Sequence, residues 1–210
     1  MKLDLQKIEF ENLDFNNLPA ELINNTQISL LYDEFEETKT IEFTRVGYGI
    51  DESFTKNDFS TIFKLYVESN STLEYFGLSF VNHNGYAYMD IFLRGSDIKL
   101  VSGDYFIILF EDDIKKKFQF QNPAKSTNSY ISNNSIELTQ EDLVLFLSRN
   151  ILKVKVVSLR KNIYNIYKLN ELDNTKLKYF FFQYWSKESG QILLRYMTYL
   201  FIDFNLKNKI

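Results

Sequence analysis

The sequence predicts a mainly β protein of the α+β class. We expect an antiparallel β-sandwich or open barrel with one short inserted helix, at about 139–149, and a helical C-terminal segment. Apolar and polar residues alternate with a period of two over much of 28–170, which is typical of half-buried strands. Two such runs flank the turn-forming residues Asn82 to Gly85. The 210 residues are 45% hydrophobic and 25% charged, which is enough apolar material for a core.

The chain is predicted to form one globular unit with three parts. Residues 1–27 are weakly patterned, with one short helical turn at 18–23. Residues 28–170 form the β-sandwich-like domain, whose first alternating runs, at 40–46 and 61–67, predict strands. Residues 171–210 form an aromatic-rich segment that packs on this domain, since an apolar face must be covered by another layer.

A β-hairpin is predicted from Leu73–Val81 and Tyr86–Leu93. A four-residue loop between them would pair Val81 with Tyr86 and Phe80 with Ala87. This register places a set of apolar side chains on the core face: Phe76, Leu78, Phe80, Met89 and Ile91. Ser79 and Asp90 then lie on the opposite face, because neighbouring strand residues alternate in direction.

A second hairpin follows at 105–120. The run 105–110 is apolar on both faces, which favours a central strand, and Glu111 to Asp113 form the turn. The returning strand directs its lysines outward and Phe118 and Phe120 inward. Residues 121–135, rich in Asn and Ser, are predicted to be a long surface loop.

The inserted helix is predicted to begin after Thr139. Thr139 is a favourable N-cap residue, and Glu141 and Asp142 supply acidic groups to the first turn. Leu143, Phe146 and Leu147 form its apolar stripe. Alternating runs at 151–159 and 163–169 predict two closing strands.

The C-terminal segment has two interpretations. Apolar residues at helical spacing, including Leu193, Met197 and Phe201, favour two helices broken at Ser189-Gly190. Gln191, Arg195 and Thr198 would then form the polar side of the second helix. The alternative is a β-hairpin within 174–206, because the segment is rich in aromatic residues. We favour the helices.

The sequence offers few groups for chemistry. It has no cysteine and one histidine, His83, which lies in the predicted turn, where its residue type suits the backbone. The acidic turn at 111–113 lacks the spacing of a calcium loop, and Gly47-Tyr48-Gly49 lacks the third glycine of a dinucleotide motif. We therefore predict no catalytic residue, no metal and no cofactor.

Charge and hydropathy restrict the partners. The net charge is −4, which disfavours nucleic acid as a partner, since binding to phosphates requires clustered basic residues. No run of about 20 apolar residues is present, so no membrane association is expected. The N-terminal residues lack the apolar stretch of a secretory signal, which predicts a cytoplasmic protein. The abundance of Asn, Lys, Ile, Phe and Tyr is typical of an AT-rich bacterial genome.

One surface is a candidate binding site. The face of the first hairpin that points away from the core carries aromatic and charged residues: Tyr75, Tyr86, Tyr88, Asp90, Phe92 and Arg94. Aromatic residues on an accessible sheet face bind sugars or partner proteins. The alternative is that the C-terminal segment covers this face.

Three functional hypotheses remain open. The first is a non-catalytic binding or protein-interaction domain, with a protein partner or a second copy of the chain. The second is a carboxylate-based hydrolase, such as a glycoside hydrolase, which requires two carboxyl groups about 5–10 Å apart. The third is an immunity or inhibitor protein, whose acidic charge would suit a basic partner.

Overall fold

In the computed structural model, the chain is mainly β with two α-helices among its described residues, as the sequence predicts. The structure describes residues 8, 15, 28–43, 63–67, 75–96, 98–121, 125–128, 131–168 and 187–208. The strands are β1 (Ile28–Asp33), β2 (Thr38–Phe43), β3 (Phe63–Val67), β4 (Tyr75–His83), β5 (Tyr86–Arg94), β6 (Tyr105–Phe110), β7 (Lys115–Gln119), β8 (Lys125–Asn128), β9 (Ile131–Glu137), β10 (Ile151–Ser158) and β11 (Ile163–Lys168). The helices are α1 (Gln140–Ser148) and α2 (Lys187–Asn208).

All the described strands are joined by antiparallel pairing. Their order is β7-β6-β10-β11-β3-β4-β5-β9-β8, and β2 joins β1 to β4 beside this path. Three strands separate β6 from β4 in this order, yet the rings of Phe76 and Phe106 are 5.3 Å apart. The sheet therefore curls until its two halves face each other, which is the arrangement of a sandwich or open barrel.

The core lies between the facing halves and the helices. Phe80 of β4 contacts Phe146 of α1 and Phe201 of α2, each with ring centroids 5.6 Å apart. Phe118 and Phe120 of the β7 hairpin are buried as predicted, and the first of them stacks on Phe106 at 5.0 Å. We call the concave side, which both helices cover, the inner face, and its reverse the outer face.

The β4–β5 hairpin has the predicted faces but a different register. The turn contains two residues, Asn84 and Gly85, with φ of 52° and 87°. A two-residue turn with positive φ values matches the right-handed twist of the strands. Strand β4 therefore continues to His83, two residues beyond its predicted end at Val81. His83 pairs with Tyr86 and Ser79 with Asp90.

Because the register shift is an even number of residues, each side chain keeps its predicted face. The predicted core residues Phe76, Leu78, Phe80, Met89 and Ile91 are all fully buried. The pairing of Val81 with Tyr86 was wrong, whereas the assignment of faces is confirmed.

The predicted loop at 121–135 was wrong in part. The structure has β8 and β9 there, and β9 pairs with β5 along its full length, from Ile131 to Glu137. The Asn- and Ser-rich sequence indicated a loop because these residues favour turns. Pairing with the apolar strand β5 overrides that local preference.

Strand β7 differs from the prediction at Lys116, which contacts the first turn of α1. Thr139 and Asp142 form the capping box of α1: the Asp142 N–H donates to Thr139 Oγ1 at 3.2 Å, and the Thr139 N–H to Asp142 Oδ2 at 2.9 Å. Lys116 shares the inner face with Phe118 instead of pointing outward. Its Nζ lies 2.6 Å from Asp142 Oδ1, so a buried carboxylate holds it there.

In the described part of the C-terminal segment, one helix extends over Lys187–Asn208 and continues through Ser189-Gly190, so the break predicted there was wrong. Its predicted polar side was also wrong in part, because Gln191 and Thr198 are buried. The Thr198 hydroxyl donates to the Leu194 carbonyl at 2.8 Å, which satisfies it inside the helix. Among the described residues, no helix has the length and apolar character needed to cross a membrane.

Some predictions lie outside the described residues. These are the helical turn at 18–23, the Gly47-Tyr48-Gly49 motif and the helical pattern at 177–185. Of the first 27 residues, Phe15 packs on α2, with its ring 5.2 Å from Tyr196 and 5.4 Å from Tyr199.

Candidate functional site

The outer face of β5 presents the predicted aromatic residues on one line. Tyr86, Tyr88, Asp90 and Phe92 alternate along the strand, which places their side chains on the same side of the sheet. Tyr86 is 38% exposed, and the other three are half-buried. We call these four residues and their neighbours on β2, β4 and β9 the tyrosine face.

The two remaining predicted site residues do not join this accessible line. Tyr75 is 5% exposed, so its side chain is buried and not accessible to a partner. Arg94 pairs with Tyr75 through the backbone at the far end of the hairpin. The side-chain position of Arg94 lies outside the described part of the chain.

The α2 helix covers the inner face of the hairpin. Phe201 of α2 contacts Phe80, which points inward. The tyrosine face is on the reverse of the same strands, and Tyr86 is solvent-exposed there. This helix therefore lies on the inner face, whereas residues 171–186 of the C-terminal segment lie outside the described part of the chain.

Strand pairing brings two glutamates to the tyrosine face that sequence reasoning missed. Val81 pairs with Glu42 of β2 and with Tyr88 of β5, and Tyr88 pairs in turn with Glu137 of β9. Directly paired residues share a face, so the four form one row across the sheet. The sequence could not show this row, because it does not indicate which strands pair with β4 and β5.

The surroundings of Tyr88 on the tyrosine face raise the pKa of its phenol. Burial and then the nearby Glu137 carboxylate and Tyr86 phenol raise the pKa of Tyr88 above its ordinary value of about 10. The phenol is therefore neutral at physiological pH and can donate a hydrogen bond.

Asp90 is held in place by its partner strand. The Ser135 hydroxyl of β9 donates to Asp90 Oδ1 at 2.5 Å, across the directly paired positions. A hydrogen bond of this kind fixes the carboxylate as an acceptor on the sheet surface. The face thus combines partly exposed phenols with oriented carboxylate oxygens.

His83 is the last residue of β4, at the end of the tyrosine face, so its predicted place in the turn was wrong. It is exposed, and its Nδ1 lies 3.0 Å from Thr40 Oγ1 on the neighbouring strand. The adjoining Asn84 continues the ladder, donating its N–H to the Lys39 carbonyl at 2.9 Å and accepting from the Lys39 N–H at 2.8 Å. These contacts fix the turn against β2.

The described residues contain no cluster of three or more potential metal ligands from His, Asp and Glu. The phenol rings and carboxylate oxygens of the tyrosine face are groups that can contact another molecule by ring packing and hydrogen bonds. The chain matches no protein-family model, no curated protein and no solved structure.

Proposed function

We propose that this protein is a non-catalytic protein-interaction domain that binds its partner through the tyrosine face. The observation that carries the proposal is the accessible line of Tyr86, Tyr88 and Phe92 on a strand paired on both sides. Tyrosine brings a large contact area and a polar group while restricting few bonds, which is why it is enriched at interfaces.

The backbone supports this role. Strand β5 pairs with β4 over nine residues and with β9 over seven, so its side chains are presented from a rigid part of the sheet. Rigid presentation lowers the entropy cost of association. The partner we propose carries cationic side chains, because phenol rings attract cations and the chain has a net charge of −4.

Site-specific photo-crosslinking tests the proposal. In one variant, expressed in the source organism, a photoreactive phenylalanine derivative replaces Tyr86. In a second variant of the same protein it replaces Tyr32, which is 60% exposed on β1. We expect an adduct with a defined protein from position 86 and none from position 32. The same adducts from both positions would contradict a specific site.

A second candidate, the carboxylate-based hydrolase, has one observation in its favour. Asp90 and Glu137 are diagonal neighbours on the tyrosine face, because Tyr88 pairs with Glu137 and Asp90 with Ser135. Diagonal strand positions are about 7–8 Å apart, within the range that glycosidases use. Hydrolysis of chromogenic glycosides that is lost in both Asp90→Asn and Glu137→Gln would favour this candidate over the interaction domain.

A further inference from the structure

A second surface carries charge of the opposite sign. It is the outer face of four consecutive strands, β7, β6, β10 and β11, in the other half of the sheet. The register places twelve residues on it in three rows across the strands: Lys115, Leu109, Lys153 and Lys168; Lys117, Ile107, Lys155 and Ile166; Gln119, Tyr105, Val157 and Tyr164. We call this surface the lysine face.

The lysine face contains five lysines and no acidic residue. Lys115, Lys117, Lys153 and Lys155 are exposed to solvent. The acidic turn at 111–113 lies beyond the ends of the strands. Two of its carboxylates are engaged away from the lysine face: Asp112 Oδ2 lies 3.3 Å from Arg149 Nε, and Glu111 accepts from Asn150.

The positive charge is combined with aromatic rings. Lys117 Nζ lies 3.9 Å from the centroid of the Tyr105 ring, and Lys155 Nζ lies 4.1 Å from that of Tyr164. Cation–π contacts hold these ammonium groups close to the sheet surface. Tyr164 is 58% exposed, so its ring remains available to a ligand.

We propose that the lysine face binds single-stranded nucleic acid. Lysines attract the phosphates, and a tyrosine ring exposed on the outer face of a sheet, here Tyr164, stacks with an unpaired base, which is how sheet-based modules bind single strands. Of the apolar residues between them, Ile107, Leu109 and Val157 are half-buried in the sheet, and Ile166 is 37% exposed.

This proposal goes beyond the protein-interaction role and departs from the expectation drawn from net charge. Net charge sums over the whole surface, whereas phosphates respond to the local potential. The acidic residues of the β1–β2 turn, at 34, 36 and 37, lie in the other half of the sheet. Strand pairing concentrates lysines that are distant in sequence on one face.

Fluorescence anisotropy with a labelled oligothymidylate tests the proposal on the intact chain. We expect binding at low salt that weakens as salt rises. The logarithm of the association constant should fall with the logarithm of salt concentration with a slope of about −3, for roughly four phosphates neutralised. No binding by the folded protein at low salt would overturn the proposal.

Charge variants locate the site. Lys153→Glu with Lys155→Glu should weaken binding about tenfold or more, because both ammonium groups lie on the lysine face. The matched control is Lys39→Glu with Lys99→Glu, which changes the net charge equally at exposed positions elsewhere. An equal loss in both proteins would show a general charge effect and contradict the assigned face.

An aromatic variant tests base stacking. Tyr164→Ala should weaken binding about 5- to 150-fold, the range of one stacked base. Tyr32→Ala, at a tyrosine 60% exposed, is the matched control and should bind as the unchanged protein does. Stronger binding to phosphatidylserine vesicles or polyglutamate than to the oligonucleotide would assign the face to a membrane or an acidic protein and overturn the proposal.

Discussion

Single side chains of the hairpin have sharply different environments on the two faces. Leu78 is fully buried and points inward among the aromatic rings of the core. Tyr88, on the neighbouring strand, lies half-buried on the outer face. The stability of the fold should therefore depend on the first kind of residue, and any binding on the second.

Leu78→Asp should destabilise the protein by about 4 kcal/mol or more, because it buries a charge without a partner. Urea denaturation measures the change. Leu31→Asp is the control, since Leu31 is 50% exposed on β1 and its substitution should cost about 0.5 kcal/mol or less. Near-normal stability of Leu78→Asp would show that the inner face is wrongly assigned.

His83→Asn should leave the folded structure intact. The side chain is exposed, and its described contact is with the Thr40 hydroxyl at the protein surface. We expect a change in the free energy of unfolding of about 0.5 kcal/mol or less, measured by thermal denaturation. A large loss of stability would mean that the histidine contact holds β2 against β4.

At the level of elements, the sequence predicts most strands because apolar alternation is a local property. The helix at 140–148 is equally local, since the capping box and apolar stripe lie within ten residues. The hairpin register required a choice between turn lengths, and the positive φ of Asn84 and Gly85 decides it. The prediction of a four-residue loop did not take into account that Asn-Gly strongly favours a two-residue turn.

Long-range pairing is the part that local sequence could not predict. Strand β9 forms by backbone pairing with β5, and this pairing places Glu137 on the tyrosine face. Glu42 reaches the same face because β2 pairs with β4. The sequence identified Tyr86 and Tyr88 as candidates because both belong to one strand. It could not identify neighbours from strands about 40 to 50 residues away.

Gln191 illustrates how a polar residue connects two elements. Ile151 lies beside an irregularity of the sheet, because the β6–β10 register shifts between Ile151 and Lys153. Gln191 Oε1 accepts from the Ile151 N–H at 2.9 Å, and its Nε2 donates to the Ile151 carbonyl. The side chain thus completes the ladder at the irregularity and fixes α2 to β10.

Gln191→Ala should lower the free energy of unfolding by about 2–3 kcal/mol, because it leaves a buried N–H and C=O without partners. Chemical denaturation measures the loss. Gln119→Ala, at an exposed glutamine of β7, is the control and should change stability little. Equal effects at the two positions would contradict the role of Gln191.

For the whole molecule, α2 and the hairpin form one core. Removing the chain after Leu169 deletes the helix and exposes the inner face, including Leu78 and Phe80. We expect the truncated protein to aggregate and to bind a hydrophobic dye strongly, since it exposes a large apolar patch. A soluble, folded truncation product would show that the β-strands pack independently of α2.

The two halves of the sheet present different outer faces. One carries the tyrosine face with Glu42 and Glu137, and the other carries the lysine face with Tyr105 and Tyr164. We propose that the tyrosine face serves binding, whereas the inner face, which packs against both helices, serves stability.

Tyr88→Ala separates these two roles when stability and affinity for the crosslinked partner are measured on the same protein. We predict a change of about 1 kcal/mol or less in the free energy of unfolding and a loss of about 1–3 kcal/mol in binding free energy. A loss of stability of several kcal/mol would show that Tyr88 belongs to the core, and an unchanged affinity would show that it does not contact the partner. Either result would rule out the tyrosine face as the binding site.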